Sequence, residues 1–434
     1  MTEPVRSISL LGALAIGIGG MVGGGIFAVL GEAVNFAHGA TPIAFLVAGL
    51  VAILTSYSYA KLSVSYQNRG GTVIFIDSAF RHNLFSGTVN LMLWLSYLVT
   101  IALYAVAFAS YAQTFFPGIH SIWLKHILIS FAILFPAILN SISASIVSKS
   151  ETTIVMVKIA LLIIIIISSV SFVDTRRLAP LQWGSSLSII VSGMVIFVAY
   201  EGFELIANAA EEVKNPASDL PRAFYGSTII VIILYALISI VAVGTIPEAQ
   251  LLKAKDYALA IAAKPALGQV GFVIVAVAAL LATISAINAT MFGNARLGYI
   301  IAKEGELPYE LEEEIRGIPE IGIVIITLVS MALANVIDLT EIAIIGSASF
   351  LLIFSLVNLS AIKLRHKLDG NSWIFILAFL VSTGAFLTLM INTYLSEPKA
   401  LFVFIGFIII SFFFEYVYGR IFRGHFFRRP YPNK

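Results

Sequence analysis

The sequence predicts an all-α integral membrane protein of twelve transmembrane helices, two of them broken, and three observations carry that prediction. The 434 residues are 59% hydrophobic, with a mean hydropathy of +0.98. Only 12% are charged, against roughly 25% in soluble domains. The apolar residues also fall in continuous runs long enough, at about 20 residues, to cross a ~30 Å hydrocarbon core as helices. Such runs are too long for the roughly ten-residue alternating strands of an outer-membrane barrel.

Candidate spans lie at 9–33, 42–65, 85–115, 122–141, 151–173, 187–209, 223–245, 269–300, 320–337, 339–362, 373–394 and 400–419. The first contains GIGGMVGGGIF (17–27), six glycines in eleven residues. A glycine costs roughly 1 kcal/mol against alanine in a helix interior, so this cluster invites the backbone to leave helical geometry. Freed N–H and C=O groups are tolerated at membrane depth only where they face protein or a water-filled cavity. Close helix packing through Gly12, Gly20 and Gly24 is the plainer reading. Three consecutive glycines, Gly23, Gly24 and Gly25, cover three faces of a helix, more than one packing face requires.

Span five, IVMVKIALLIIIIISSV, holds a lone lysine, Lys158, about seven residues or roughly 10 Å inside the helix start. Either it snorkels to the interface or it stays within the protein as a proton-exchanging group. Span six ends in FVAYEGFELIANAAEEVKNP (197–216), where Glu201, Gly202 and Glu204 interrupt an apolar helix. Intramembrane acids are expensive and usually functional. Were the helix simply to end at Tyr200, only about 14 of the ~20 residues needed to cross would remain. The segment 247–268 between spans seven and eight is long enough for short helices that cover the outer side.

Spans one and six stand five apart and so run in opposite directions. Interrupted helices at matching positions of two inverted halves point to a transporter site at the midplane. The expected organisation is a first repeat over 1–173, a second over 187–363, and two further spans with a basic tail over 364–434. A helix broken in two offers N–H groups to an anion and C=O groups to a cation. An amino acid, carrying a carboxylate and an ammonium, satisfies both.

Lysine and arginine set the orientation. With the N-terminus inside, eighteen fall on the cytoplasmic side and seven outside, Lys158 aside. Both termini are expected in the cytoplasm of a prokaryotic plasma membrane, and no cleaved signal peptide is expected. The C-terminal RIFRGHFFRRPYPNK reads as a positive-inside tail, not as a site for nucleic acid or a specific lipid. The chain has no cysteine, which excludes disulfides, thiolate metal sites and cysteine nucleophiles. Its six histidines, His38, His82, His120, His126, His366 and His425, lack ligand spacing, so no metal is expected.

At these residues the chain resembles the amino acid–polyamine–organocation (APC) superfamily, most closely its proton-coupled archaeal members. The resemblance rests on GIGGMVGGGIF, on AYEGFELIANAAEEVKNPASDLPRA, on NRGGTVIFIDSAF (68–80), on NATMFGNARLGYIIAKEGELP (288–308) and on WLSYLVTIALYAVAFASYA in span three. It covers spans one to ten in order. It implies the LeuT-type fold, a 5+5 inverted repeat with alternating access around spans 1, 3, 6 and 8. Val22, Gly23, Gly24 and Gly25 would hold a substrate carboxylate. Val198, Ala199 and Glu201, with Gly202 at the break, would offer carbonyls to its ammonium. Lys158 matches the lysine that stands where sodium-coupled relatives bind sodium. It would touch the Gly19 carbonyl and Thr283 or Ser285, making the proton the coupling ion with no other cofactor. Glu204 sits where many members carry an acid and is a second protonation candidate. Tyr97, Phe197 and Phe203 are candidates to gate or shape the pocket.

The expected function is proton-coupled amino acid uptake. An exchanger or a sodium symporter of the same superfamily is the alternative. An intramembrane enzyme would need nucleophile and base residues that the spans do not supply, and a channel would show repeated pore-lining rings. No Gly-x-x-x-x-Gly-Lys-Ser/Thr run is present for ATP-driven transport.

Overall fold

Helices make up the structure because each long apolar run must satisfy its own backbone groups if it leaves water. The computed structural model describes residues 6–119, 121–142, 144–314 and 318–421. His120, Arg316 and the basic tail after Ile421 lie outside the described residues. The described residues contain seventeen α-helices and no strand, only two isolated bridges. By length and composition ten helices among the described residues can cross a membrane, eleven when the bent pair α1 (Leu10–Met21) and α2 (Gly25–Ala37) counts as one. The expected ninth span is α14 (Glu320–Val336), an apolar helix of 17 residues.

The remaining long helices are α3 (Thr41–Ser65), α5 (Leu84–Gln113), α6 (Ile122–Ile142), α7 (Ala144–Ser169), α10 (Pro216–Thr245), α13 (Lys264–Lys303), α15 (Leu339–Leu364), α16 (Ser372–Ser396) and α17 (Pro398–Ile421). Short helices fill the links: α4 (Thr72–Phe80), α8 (Ser186–Val195), α9 (Leu205–Asn208), α11 (Glu248–Ala254) and α12 (Ala258–Ala262). Two ends differ from the apolar runs. α10 starts seven residues before its expected apolar stretch because Pro216 takes the first helical position, where a missing N–H costs nothing, and Asp219 follows in the first turn. α13 runs past both ends of 269–300, with a kink where Gly268 adopts φ +61°.

Burial ranks the helices by position. In α5 94% of the apolar window is buried and in α15 83%, whereas α16 and α17 stand at 28% and 22%. So α5 and α15 form the centre, and α16 and α17 lie at the periphery. A capping box opens α5: Asn83 Oδ1 accepts from Ser86 N–H, and Ser86 Oγ accepts from Asn83 N–H.

Both faces of the bundle are tied by polar contacts. On the face where α1 begins, Ile8 N–H donates to Glu212 O and Lys214 N–H to Ile8 O, both at 2.9 Å. On the same face Tyr418 donates to Leu307 O at 3.0 Å. On the opposite face the segment expected as a cover forms α11, a 3-10 turn over Lys255–Tyr257, and α12. Gly31 makes room for it, since a Cβ there would stand 2.0 Å from Lys255 O.

Candidate functional site

The two glycine-marked breaks meet at the centre. α1 closes with Val22 N–H on Ile18 O, and α2 leaves at a bend of 46°. Gly24 caps α2 without a side-chain partner, and the N–H groups of Gly25, Ile26 and Phe27 have no acceptor within that helix by its geometry. The three glycines face three neighbours. A Cβ on Gly23 would lie 2.9 Å from Ala286 Cβ on α13, one on Gly24 2.4 Å from the Tyr104 ring on α5, and one on Gly25 2.8 Å from Ala199 Cα.

The second break begins where α8 tightens into a 3-10 turn over Ile196–Tyr200. Ser347 of α15 joins the two pieces: its Oγ accepts from Val198 N–H at 2.9 Å and donates to Val195 O at 2.6 Å. Val198 O accepts from Glu201 N–H. Gly202 then takes φ +121°, a conformation that side chains rarely adopt. It packs directly on the first break, since a Cβ on Gly202 would be 2.3 Å from Gly20 C and one on Gly20 2.7 Å from Gly202 O. Tyr235 of α10 spans both breaks, its hydroxyl 2.6 Å from Met21 O and 3.1 Å from Ala199 O.

Two carboxylates lie inside this junction, Glu201 at 2% exposure and Glu204 at 1%. One face of α5 reaches them. Tyr97 donates to Glu204 Oε1 at 2.9 Å, and Tyr104 to Glu201 Oε2 at 3.2 Å. Tyr111 donates to Phe27 O at 3.2 Å. Residues seven apart share a helix face, so three hydroxyls line up along the broken helices. Gly202 N–H completes the Glu204 shell at 2.8 Å from Oε2.

Lys158 is buried on α7, which packs on α1, α10 and α13. Val155, one turn earlier, is the neighbour of Gly19: a Cβ there would be 2.7 Å from Val155 Cγ2. Thr283 and Ser285 are buried on α13, and Thr283 Oγ1 lies 2.7 Å from Ala279 O, one turn back. Phe197 meets Phe354 of α15 edge-on and Phe203 meets it at a tilt, at 5.9 and 5.1 Å between ring centroids, and Tyr97 packs on Phe350.

Tyr104, Tyr235 and Ser347 escape a reading of the sequence. Tyr104 carries a signal, its spacing of seven from Tyr97. Tyr235 and Ser347 sit in ordinary apolar runs and carry none.

On the opposite face, Lys255 Nζ lies 2.9 Å from Glu32 Oε1 and donates to Thr340 Oγ1 at 2.8 Å. Thr340 donates in turn to Glu32 Oε1 at 2.6 Å. Half-burial disfavours the ammonium, but the Glu32 carboxylate, with Asp256 and Asp338 behind it, outweighs this and holds Lys255 above the ordinary lysine value. His38 and Glu248 pair at 2.7 Å where α2 ends and α11 begins. A cavity of about 660 Å³ opens beside Lys255, with Lys125, Lys253 and Lys264 on its walls.

A model of the amino acid permease family matches residues 8–421. The chain is 32% identical over 433 residues to Uncharacterized protein MJ0609 of Methanocaldococcus jannaschii, covering 98% of both. It is 33% identical over 413 residues to the Inner membrane transport protein YbaT of Escherichia coli, covering 94% of this chain and 95% of that one. It is 24% identical over 384 residues to the Branched-chain amino acid permease BcaP of Bacillus subtilis, covering 83% and 81%.

Proposed function

The chain belongs to the amino acid permease family of the APC superfamily, a multi-pass membrane transporter and not an enzyme, and from that premise we propose proton-coupled uptake of small neutral or apolar amino acids by alternating access. One observation carries the reading: two broken helices cross glycine on glycine, at Gly20 and Gly202, with Tyr235 joining Met21 O to Ala199 O. Amides at Gly23–Gly25 take the substrate carboxylate. The carbonyl of Ala199, with those of Val198 and Glu201, takes the ammonium, which replaces the Tyr235 hydroxyl as donor. The apolar preference draws on the relative named as a branched-chain amino acid permease.

In this reading α14 crosses as the ninth span and brings the total to twelve, and 1–173 and 187–363 are inverted repeats of LeuT type, with 364–434 appended. Both termini face the cytoplasm of the plasma membrane. Lys158 carries the coupling proton, exchanging it near Gly19 O, Thr283 and Ser285. Glu204, held by Tyr97 and Gly202, is the second proton site.

Uptake of labelled amino acids into proteoliposomes tests this, comparing an inward pH gradient with an inward sodium gradient for wild type and Lys158→Ala. Proton-driven accumulation that the substitution abolishes while binding survives is the expected result. Sodium-driven uptake overturns the role of Lys158. Uptake only into vesicles preloaded with amino acid replaces symport by exchange.

A further inference from the structure

On the face where α1 begins, three groups from separate links converge. Asp77 lies in the last turn of α4, His82 in the link to α5, and Glu306 just beyond α13. One carboxylate oxygen from each acid and one imidazole nitrogen lie within 4.8 Å of one another. His82 Nδ1 stands 3.3 Å from Asp77 Oδ2. Asn90 of α5, fully buried, holds its amide between the acids: Nδ2 is 3.2 Å from Asp77 Oδ1 and 3.0 Å from Glu306 Oε2.

The Asn90 Oδ1 has no hydrogen-bond partner. A half-turn of the amide would bring Oδ1 to where Nδ2 now stands, facing both acids; it gives up the hydrogen bonds Nδ2 donates to Asp77 and Glu306, a loss that a cation bound between the three oxygens offsets. We propose that Asp77, His82 and Glu306, completed by the Asn90 amide oxygen, bind one divalent transition-metal ion, Zn²⁺ or Mn²⁺. An imidazole nitrogen with carboxylate and amide oxygens is a donor set for such ions, where thiolates would select softer ones. Bonds of about 2.0–2.2 Å put tetrahedral ligands roughly 3.4 Å apart, so ligand atoms that now lie within 4.8 Å of one another close by up to about 1.4 Å on binding. His82 is 29% exposed while Asp77 is at 3%, so the ion arrives past the histidine. Bound there, it joins the link between α4 and α5 to the segment after α13, elements of the two halves of the chain. None of the residues assigned to the broken helices takes part.

The test is equilibrium dialysis of the full chain, purified in detergent with its affinity tag removed, against Zn²⁺ and Mn²⁺ separately. The chain's lack of cysteine removes the usual thiolate background. One ion per chain is expected, with His82→Ala and Glu306→Gln each weakening binding at least tenfold. Should either variant fail to fold, the absorption spectrum of Co²⁺ added to the wild type decides, since nitrogen and oxygen ligation of a bound ion gives d–d bands that free aqueous Co²⁺ does not match. No stoichiometric uptake by the wild type, uptake unchanged in both variants, or a Co²⁺ spectrum identical to the aqueous ion overturns the proposal.

Discussion

Tyr235→Phe removes one oxygen from the point where the two breaks meet. The ring stays, so no cavity opens, and the cost comes from the carbonyls of Met21 and Ala199, both in residues at most 1% exposed. One hydroxyl proton serves the two acceptors, and the Met21 bond is the shorter at 2.6 Å. Leaving a buried acceptor unmade costs about 1–3 kcal/mol. A domain of 150–250 residues shifts its melting midpoint by roughly 2–4 °C per kcal/mol. A chain about twice that size shifts by about half as much, so the expected loss is roughly 1–6 °C. Scanning fluorimetry in detergent measures it, with Tyr394→Phe as control. Tyr394 is 68% exposed, and loss of its hydroxyl should fall within about 0.5 kcal/mol of zero. The deficit should shrink in saturating amino acid, because an ammonium at Ala199 O supplies the missing donor and ligand binding stabilises by mass action. An unshifted midpoint refutes the bridging role of the hydroxyl. A deficit that substrate leaves untouched refutes the ammonium's place at Ala199.

Three further outcomes follow from the same contacts. Gly202→Ala forces a side chain to φ +121° with its Cβ 2.3 Å from Gly20 C; backbone strain of about 1–3 kcal/mol adds to a clash with main chain that cannot yield, so size-exclusion profiles should show little folded protein, and a wild-type profile contradicts the crossing. Gly24→Ala meets only the movable Tyr104 ring at 2.4 Å, so adding Tyr104→Ala should recover part of its loss, a coupling of about 0.5–3 kcal/mol; strictly additive midpoints refute the contact. The raised Lys255 favours the closed cover wherever the ammonium is charged, so its contribution is full at pH values below the ordinary 10.5 and is lost as pH rises through the higher folded value. Spin labels on α11 and α2 should therefore report a distance that holds from pH 7 to 9 in wild type and lengthens in Lys255→Gln; an unchanged distance in the variant dismisses the contact as a latch.

The sequence by itself determined the membrane, the helices and the location of both breaks. Each is written locally: a continuous apolar run can satisfy its backbone in lipid only as a helix, and glycines or acids inside such a run stand out against it. Helix ends were legible less well, because capping chemistry extends them beyond the apolar stretch, as Pro216 does for α10. Which helices touch was decided only by the tertiary structure. Periodicity shows that Tyr97 and Tyr104 share a face, but not that the face meets Glu204 and Glu201, 107 and 97 residues away. Tyr235 reaches back 214 residues to Met21, and Ser347 reaches Val198 across 149. Asn90 and Glu306, 216 residues apart, meet in the same way at the face where α1 begins. A hydroxyl or carboxyl in an apolar helix needs a partner, yet its own helix does not say where that partner stands; the packing of the other helices does.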